Sequence, residues 1–77
     1  MSEKMTDVTM HIDEETSSQK REELRNHLLQ RDGVMGADCR DETPHLMVIK
    51  YNPDVVHSIE LLDVARSSGL HAELFGL

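Results

Sequence analysis

The side chains of this 77-residue chain that could hold a metal ion or move a proton are five histidines, fifteen carboxylates and one cysteine. His11 and Asp13 stand two apart, with Glu14 and Glu15 directly behind, while His45 and His71 each introduce a later stretch rich in apolar residues. Imidazole nitrogens combined with carboxylate oxygens suit Zn(II), Ni(II) or Cu(II), whereas Cu(I) requires thiolate or thioether sulfur. The lone Cys39 excludes an internal disulfide framework and any zinc site built from several cysteines. Of the five methionines, Met10 and Met47 occupy inward-facing strand positions, where this residue fills gaps in small cores. Enzymatic chemistry finds no support. There is no Ser-His-Asp order with elbow glycines, no glycine-rich phosphate loop and no carboxylate pair set for acid–base work.

Composition narrows the classes further. The length allows one domain, residues 1–77 with an ordered core over about 6–76. Apolar residues make up 38 %, enough for a small core. The formal charge of −7 argues against nucleic acid, which draws on a surplus of Lys and Arg. No run approaches the ~20 apolar residues of a membrane span, and the first residues lack the apolar centre of a signal peptide. The expectation is a cytoplasmic domain that contacts neither nucleic acid nor membrane.

The elements that must position these residues are legible from periodicity. Val8, Met10 and Ile12 alternate with Thr9, His11 and Asp13, a strand with one covered face. Thr16 and Gln19 have capping-box spacing, so a helix is expected to begin there. It would bury Leu24 and Leu28, display Lys20, Arg21, Arg25 and Arg31 as a solvated stripe, and stop at Gly33. Val34, Ala37 and Cys39 suggest a weaker strand, with Cys39 inward and inert. After a turn at residues 41–44, residues 45–51 form the strongest strand, ended by Asn52-Pro53-Asp54. A second helix fits 58–68 with Leu61, Leu62 and Ala65 inward, and residues 70–75 alternate again.

The order βαββαβ is the ferredoxin-like α+β arrangement. Right-handed crossovers then give an antiparallel sheet of order 4-1-3-2, with both helices on one face and the other face open. In that sheet His11, Asp13 and His71 share the open face near one end, and His45 starts beside them on the helix-covered parity. These four are the candidate ligands of a Zn, Ni or Cu ion. Leu46, Val48 and Phe75 alternate outward beside Thr9 and His11. An apolar patch of that kind on an acidic protein marks a surface for a protein partner or a homodimer.

Several segments, taken in register, resemble one family. They are Leu24 and Leu28, Gly33-Val34 and Ala37, the strand end Val48-Ile49-Lys50-Tyr51-Asn52-Pro53-Asp54, and Asp63 to Glu73 with Gly69-Leu70-His71-Ala72. The chain is similar over residues 6–76 to heavy-metal-associated domains, which include small copper chaperones and N-terminal domains of metal-transporting ATPases. The resemblance implies the fold above and a place near metal homeostasis. Soft-metal-binding members carry Met-Thr-Cys-x-x-Cys between the first strand and helix. Counting back from Gly33 puts the two cysteine positions at Ser17 and Lys20, so the thiolate site is degenerate. The resulting expectation is a non-enzymatic interaction or accessory module without a cofactor. The alternative is a metal-binding protein using His11, Asp13, His45 and His71.

Overall fold

Alternation decides the sheet. On β1 (Thr6–Ile12) the side chains of Val8, Met10 and Ile12 are buried, as are Met47, Ile49 and Tyr51 on β3 (Thr43–Tyr51). The intervening residues of both strands face away from the helices. The computed structural model describes residues 4–75. The remaining elements are α1 (Ser18–Leu29), β2 (Val34–Arg40), α2 (Ser58–Ser67) and β4 (Ala72–Phe75).

The four strands form one sheet of order β2-β3-β1-β4, antiparallel at each neighbouring pair, as the βαββαβ pattern predicts. β1 pairs with β3 from Thr6↔Tyr51 to His11↔Leu46, and with β4 from Thr9↔Phe75 to Ile12↔Ala72. Leu24 and Leu28 of α1 and Leu61, Val64 and Ala65 of α2 close the core from one side. Removing a buried leucine of this kind costs about 2–5 kcal/mol.

The structure corrects several local expectations. Ser17, not Thr16, caps α1, because its hydroxyl accepts from Lys20 N at 3.1 Å and so satisfies a free amide of the first turn. The helix ends at Leu29 with Gln30 as its C-cap, well before Gly33. Gly33 acts instead in the reversal into β2. Its φ is +92°, and a Cβ there would meet Val55 Cβ at 2.9 Å. β3 begins at Thr43 because Asp41 and Glu42 alone make the hairpin loop, with Arg40 opposite Thr43. In α2 Val64 is buried together with the expected Leu61 and Ala65, while Leu62 is only partly covered. β4 starts at Ala72, with Leu70 buried ahead of it.

Arg21 is the largest correction. Expected on a solvated stripe, it is 5 % exposed and occupies the inward position one turn before Leu24. Only Leu24 and Leu28 are apolar among the inward residues of α1, so this helix is also fastened by polar contacts. Arg25 adds one, donating from Nε to Ala37 O at 2.9 Å.

Candidate functional site

The loop between β1 and α1 is held by a buried guanidinium. Arg21 Nη1 donates to Thr16 O at 2.5 Å, and Nη2 donates to Asp41 Oδ1 at 2.7 Å and Ser18 Oγ at 3.4 Å. Thr16 Oγ1 donates in turn to Pro44 O at 3.5 Å, and Ser18 Oγ to Asp41 Oδ1 at 3.3 Å. The cluster ties the loop, the first turn of α1 and the β2–β3 hairpin together. A cation near a helix N-terminus opposes the macrodipole, and the first turn carries no acidic residue to offset it. The Thr16 carbonyl and the Asp41 carboxylate supply that compensation. No sequence pattern announces this role, because Arg21 and Asp41 lie twenty residues apart.

The histidines divide into two groups. His45 Nδ1 lies 2.7 Å from Ile12 O. A carbonyl only accepts, so Nδ1 carries a proton and donates to it. The His11 ring stacks on His45 with centroids 5.9 Å apart and planes 20° from parallel, and it meets the Phe75 edge at 6.2 Å. His11 Nδ1 is 3.4 Å from Asp13 Oδ1. His11, Asp13 and His45 are therefore neighbours at one end of the sheet.

His71 lies next to Asp13 through the backbone, with Asp13 N donating to His71 O at 2.8 Å, but its ring is engaged elsewhere. Glu14 grips it twice: Oε1 accepts from the His71 backbone amide at 2.8 Å and Oε2 from Nδ1 at 2.5 Å. The hydrogen bonds to His71 hold the Glu14 carboxyl below its ordinary pKa. Conversely, the hydrogen bond and charge of Glu14 raise the His71 imidazole above its ordinary value. Among the described residues, no three or more His, Cys, Asp or Glu side chains converge as a metal cluster.

On the open face, Leu46 is 37 %, Val48 38 % and Phe75 51 % exposed. Leu46 and Val48 border a shallow hollow of about 340 Å³ shared with Thr9, Asp38, Arg40 and Thr43. Cys39 faces the other way, half-covered against the core.

Solved structures of the same architecture superpose closely. MerP from Ralstonia metallidurans CH34, in its oxidised form, matches with a TM-score of 0.85 and 16 % identity, covering 95 % of this chain and all of that one. This chain has the heavy-metal-associated fold. The N-terminal domain of a potential copper-translocating P-type ATPase from Bacillus subtilis, in its Cu(I)-loaded state, matches with a TM-score of 0.85 and 18 % identity over 95 % and 90 % of the two chains. The CopZ metallochaperone matches at 0.80 and 16 % over 88 % and 100 %. No family model and no curated protein matches the sequence.

In this fold the residues at the expected thiolate positions do not fit a soft cation. Ser17 Oγ is already engaged as the α1 cap. Lys20, one turn on, brings a positive charge where a cation would have to enter. The Arg21 guanidinium, bonded to Thr16 O and Ser18 Oγ, adds a second fixed positive charge to the same loop. Neither hydroxyl nor ammonium replaces a thiolate for Cu(I). Among the described residues, no helix is long and apolar enough to cross a membrane.

Proposed function

We propose that this domain is a non-enzymatic interaction or accessory module of metal homeostasis that works without a thiolate metal site and docks through its open sheet face. Its structural neighbours include a metallochaperone and a domain of a copper-translocating ATPase, which supports the place near metal handling. The observation that carries the reading is the loop between β1 and α1. Its hydroxyls and carbonyl are spent on the cap and on Arg21, so the loop has a fixed order that owes nothing to a bound ion. The exposed open-face patch of Leu46, Val48 and Phe75 is available for recognition.

Two measurements test this. In competition with a Cu(I) chelator the reduced protein should take up no Cu(I); tight stoichiometric uptake would remove the reading. A complex reconstituted with an identified protein partner should lose at least about tenfold in affinity with Val48→Asp and be indifferent to Ser17→Ala. Equal binding by the Val48→Asp protein would place docking elsewhere.

A second reading is carried by the anchored imidazoles. His45 donates Nδ1–H to Ile12 O, and His11 Nδ1 faces Asp13. Metal-ligating histidines are oriented in this manner by a carbonyl or carboxylate on the other nitrogen. His11, Asp13 and His45 are not gathered as a cluster here, and would have to close on Zn(II), Ni(II) or Cu(II) to hold it, with His71 adjoining through Asp13. Backbone amide shifts at residues 11–13 and 45 that saturate with one equivalent of Zn(II) or Ni(II) support it. Their absence ends it.

A further inference from the structure

Strand register turns the open face into a grid. Gly36, Lys50 and Asp7 form one row across β2, β3 and β1. Asp38, Val48, Thr9 and Phe75 form the next across all four strands. Leu46, His11 and Glu73 form the third, with Arg40 beside Leu46 in the same hollow. Apolar groups hold the middle. The bases Lys50 and Arg40 lie on the β2–β3 half, and the acids Asp7 and Glu73 on the β1–β4 half. Asp38 is the one acid on the basic half, 3.9 Å from Arg40.

We propose that a second copy of this chain covers this face, packed sheet to sheet about a two-fold axis parallel to the strands and lying between β3 and β1. The proposal rests on the open-face reading above and names its occupant. Such an axis lays β2 on the partner's β4 and β3 on its β1 while keeping each row on itself. Lys50 then faces Asp7 of the partner subunit, and Arg40 faces the partner's Glu73. Val48 meets the partner's Thr9, and Leu46 meets the partner's His11. Each contact occurs twice, as an isologous interface requires. Phe75 lands on the partner's Asp38, the carboxylate that lies 3.9 Å from Arg40 within its own subunit.

The other in-plane axis, across the strands, places the first row on the third. Lys50 would then face Leu46 and Asp7 would face His11, and neither basic corner would meet an acid. Both axes keep the strands of the two sheets aligned, but only the strand-parallel one sets each base against an acid. The net charge of −7 opposes association, but the face itself is close to neutral, with Asp7, Asp38 and Glu73 against Lys50 and Arg40. The footprint spans roughly 19 Å across four strands and roughly 20 Å along them. That is well below a standard interface of about 1,600 Å², so the dimer is weak, with a Kd on the order of 100 μM.

Sedimentation equilibrium of the full chain up to about 1 mM tests the pairing, with circular dichroism confirming that each variant is folded. The wild type should dimerise, and Val48→Asp should weaken it at least about tenfold. Arg40→Glu and Glu73→Arg should each weaken it about tenfold, and the double variant R40E/E73R should return to within about threefold of wild type. A double variant as weak as either single one overturns the axis. A wild type that stays monomeric overturns the second copy alone, and the open-face reading is then decided by the partner complex described above. A dimer indifferent to Val48→Asp overturns the proposal, since the chain then associates through another surface.

Discussion

The Arg21 guanidinium and the Asp41 carboxylate meet at 2.7 Å from opposite environments, the arginine side chain 6 % exposed and the aspartate 80 %. Water therefore screens one end of the pair, and the ion pair contributes little beyond its geometry. The firmer contact is the 2.5 Å hydrogen bond to Thr16 O, which belongs to the loop itself. Arg21 also covers the end of the core with its aliphatic stem.

These two contributions separate on mutation. Asp41→Ala should lower stability by less than about 1 kcal/mol in urea unfolding. Arg21→Ala should cost about 2–3 kcal/mol, because it removes packing and leaves the Thr16 carbonyl without its donor. Arg21→Met should recover most of that loss, since an apolar side chain fills the inward position without desolvating a charge. Equal effects for Asp41→Ala and Arg21→Ala would mean that the exposed pair, not the loop carbonyl, is what Arg21 provides.

The Glu14–His71 clamp predicts a defined pH response. The His71 pKa is raised in the folded state, so its contribution is full below the unfolded imidazole value and fades as pH rises through the folded one. The Glu14 pKa is lowered, so its contribution is present above the unfolded carboxylate value and fades as pH falls through the folded one. The clamp is accordingly strongest between the ordinary values of 4.5 for Glu14 and 6.5 for His71. In Glu14→Gln the His71 ring, followed by NMR, should titrate at lower pH than in the wild type. An unchanged midpoint would show that the carboxylate does not set the imidazole's charge.

The fold was legible because period-two alternation in residues 8–13 and 45–51 assigns each side chain to a face without tertiary information. Faces then followed from topology, and Leu46, Val48 and Phe75 lie outward as parity requires. Residues whose role depends on distant partners were not legible. Arg21 reads as a solvated base because nothing local marks Asp41 or Thr16 as its partners. Glu14 likewise reads as one of several loop carboxylates, since its partner His71 lies 57 residues away. Ser17 and Thr16 are equivalent caps by residue type, and only the backbone direction into α1 chose Ser17.

Gly33 and Gly69 offer a matched test of backbone conformation against packing. Both have positive φ, +92° and +81°, which costs any other residue about 1 kcal/mol. At Gly69 a Cβ meets nothing within 4 Å, so Gly69→Ala should cost about that amount alone. At Gly33 the Cβ would press on Val55 and on Val56 Cγ1 at 3.0 Å, and Gly33 O must still accept from Asn52 N at 2.7 Å. Gly33→Ala should therefore be worse by a further 1–3 kcal/mol or about that. Thermal unfolding of the two variants checks the difference, and similar Tm losses would show that the junction with Val55 and Val56 yields freely.

The sharpest test of the loop is to supply the missing donors. Replacing Ser17 and Lys20 by cysteine puts two thiols at i and i+3 on the first turn of α1, where the free amides favour thiolates. Loss of the Ser17 cap should cost about 1 kcal/mol, small enough for the domain to remain folded. If the chain lacks a Cu(I) site only because its donors are wrong, S17C/K20C should retain Cu(I) against a chelator while the wild type does not. Arg21 still adds a fixed positive charge beside the new site, so S17C/K20C/R21M should bind more tightly than S17C/K20C. The order of these three proteins separates donor chemistry from local charge. Should S17C/K20C fail and the triple variant succeed, the guanidinium is the dominant barrier to the cation. Failure of both would mean that the loop, independently of its charges, no longer presents positions 17 and 20 to a common ion.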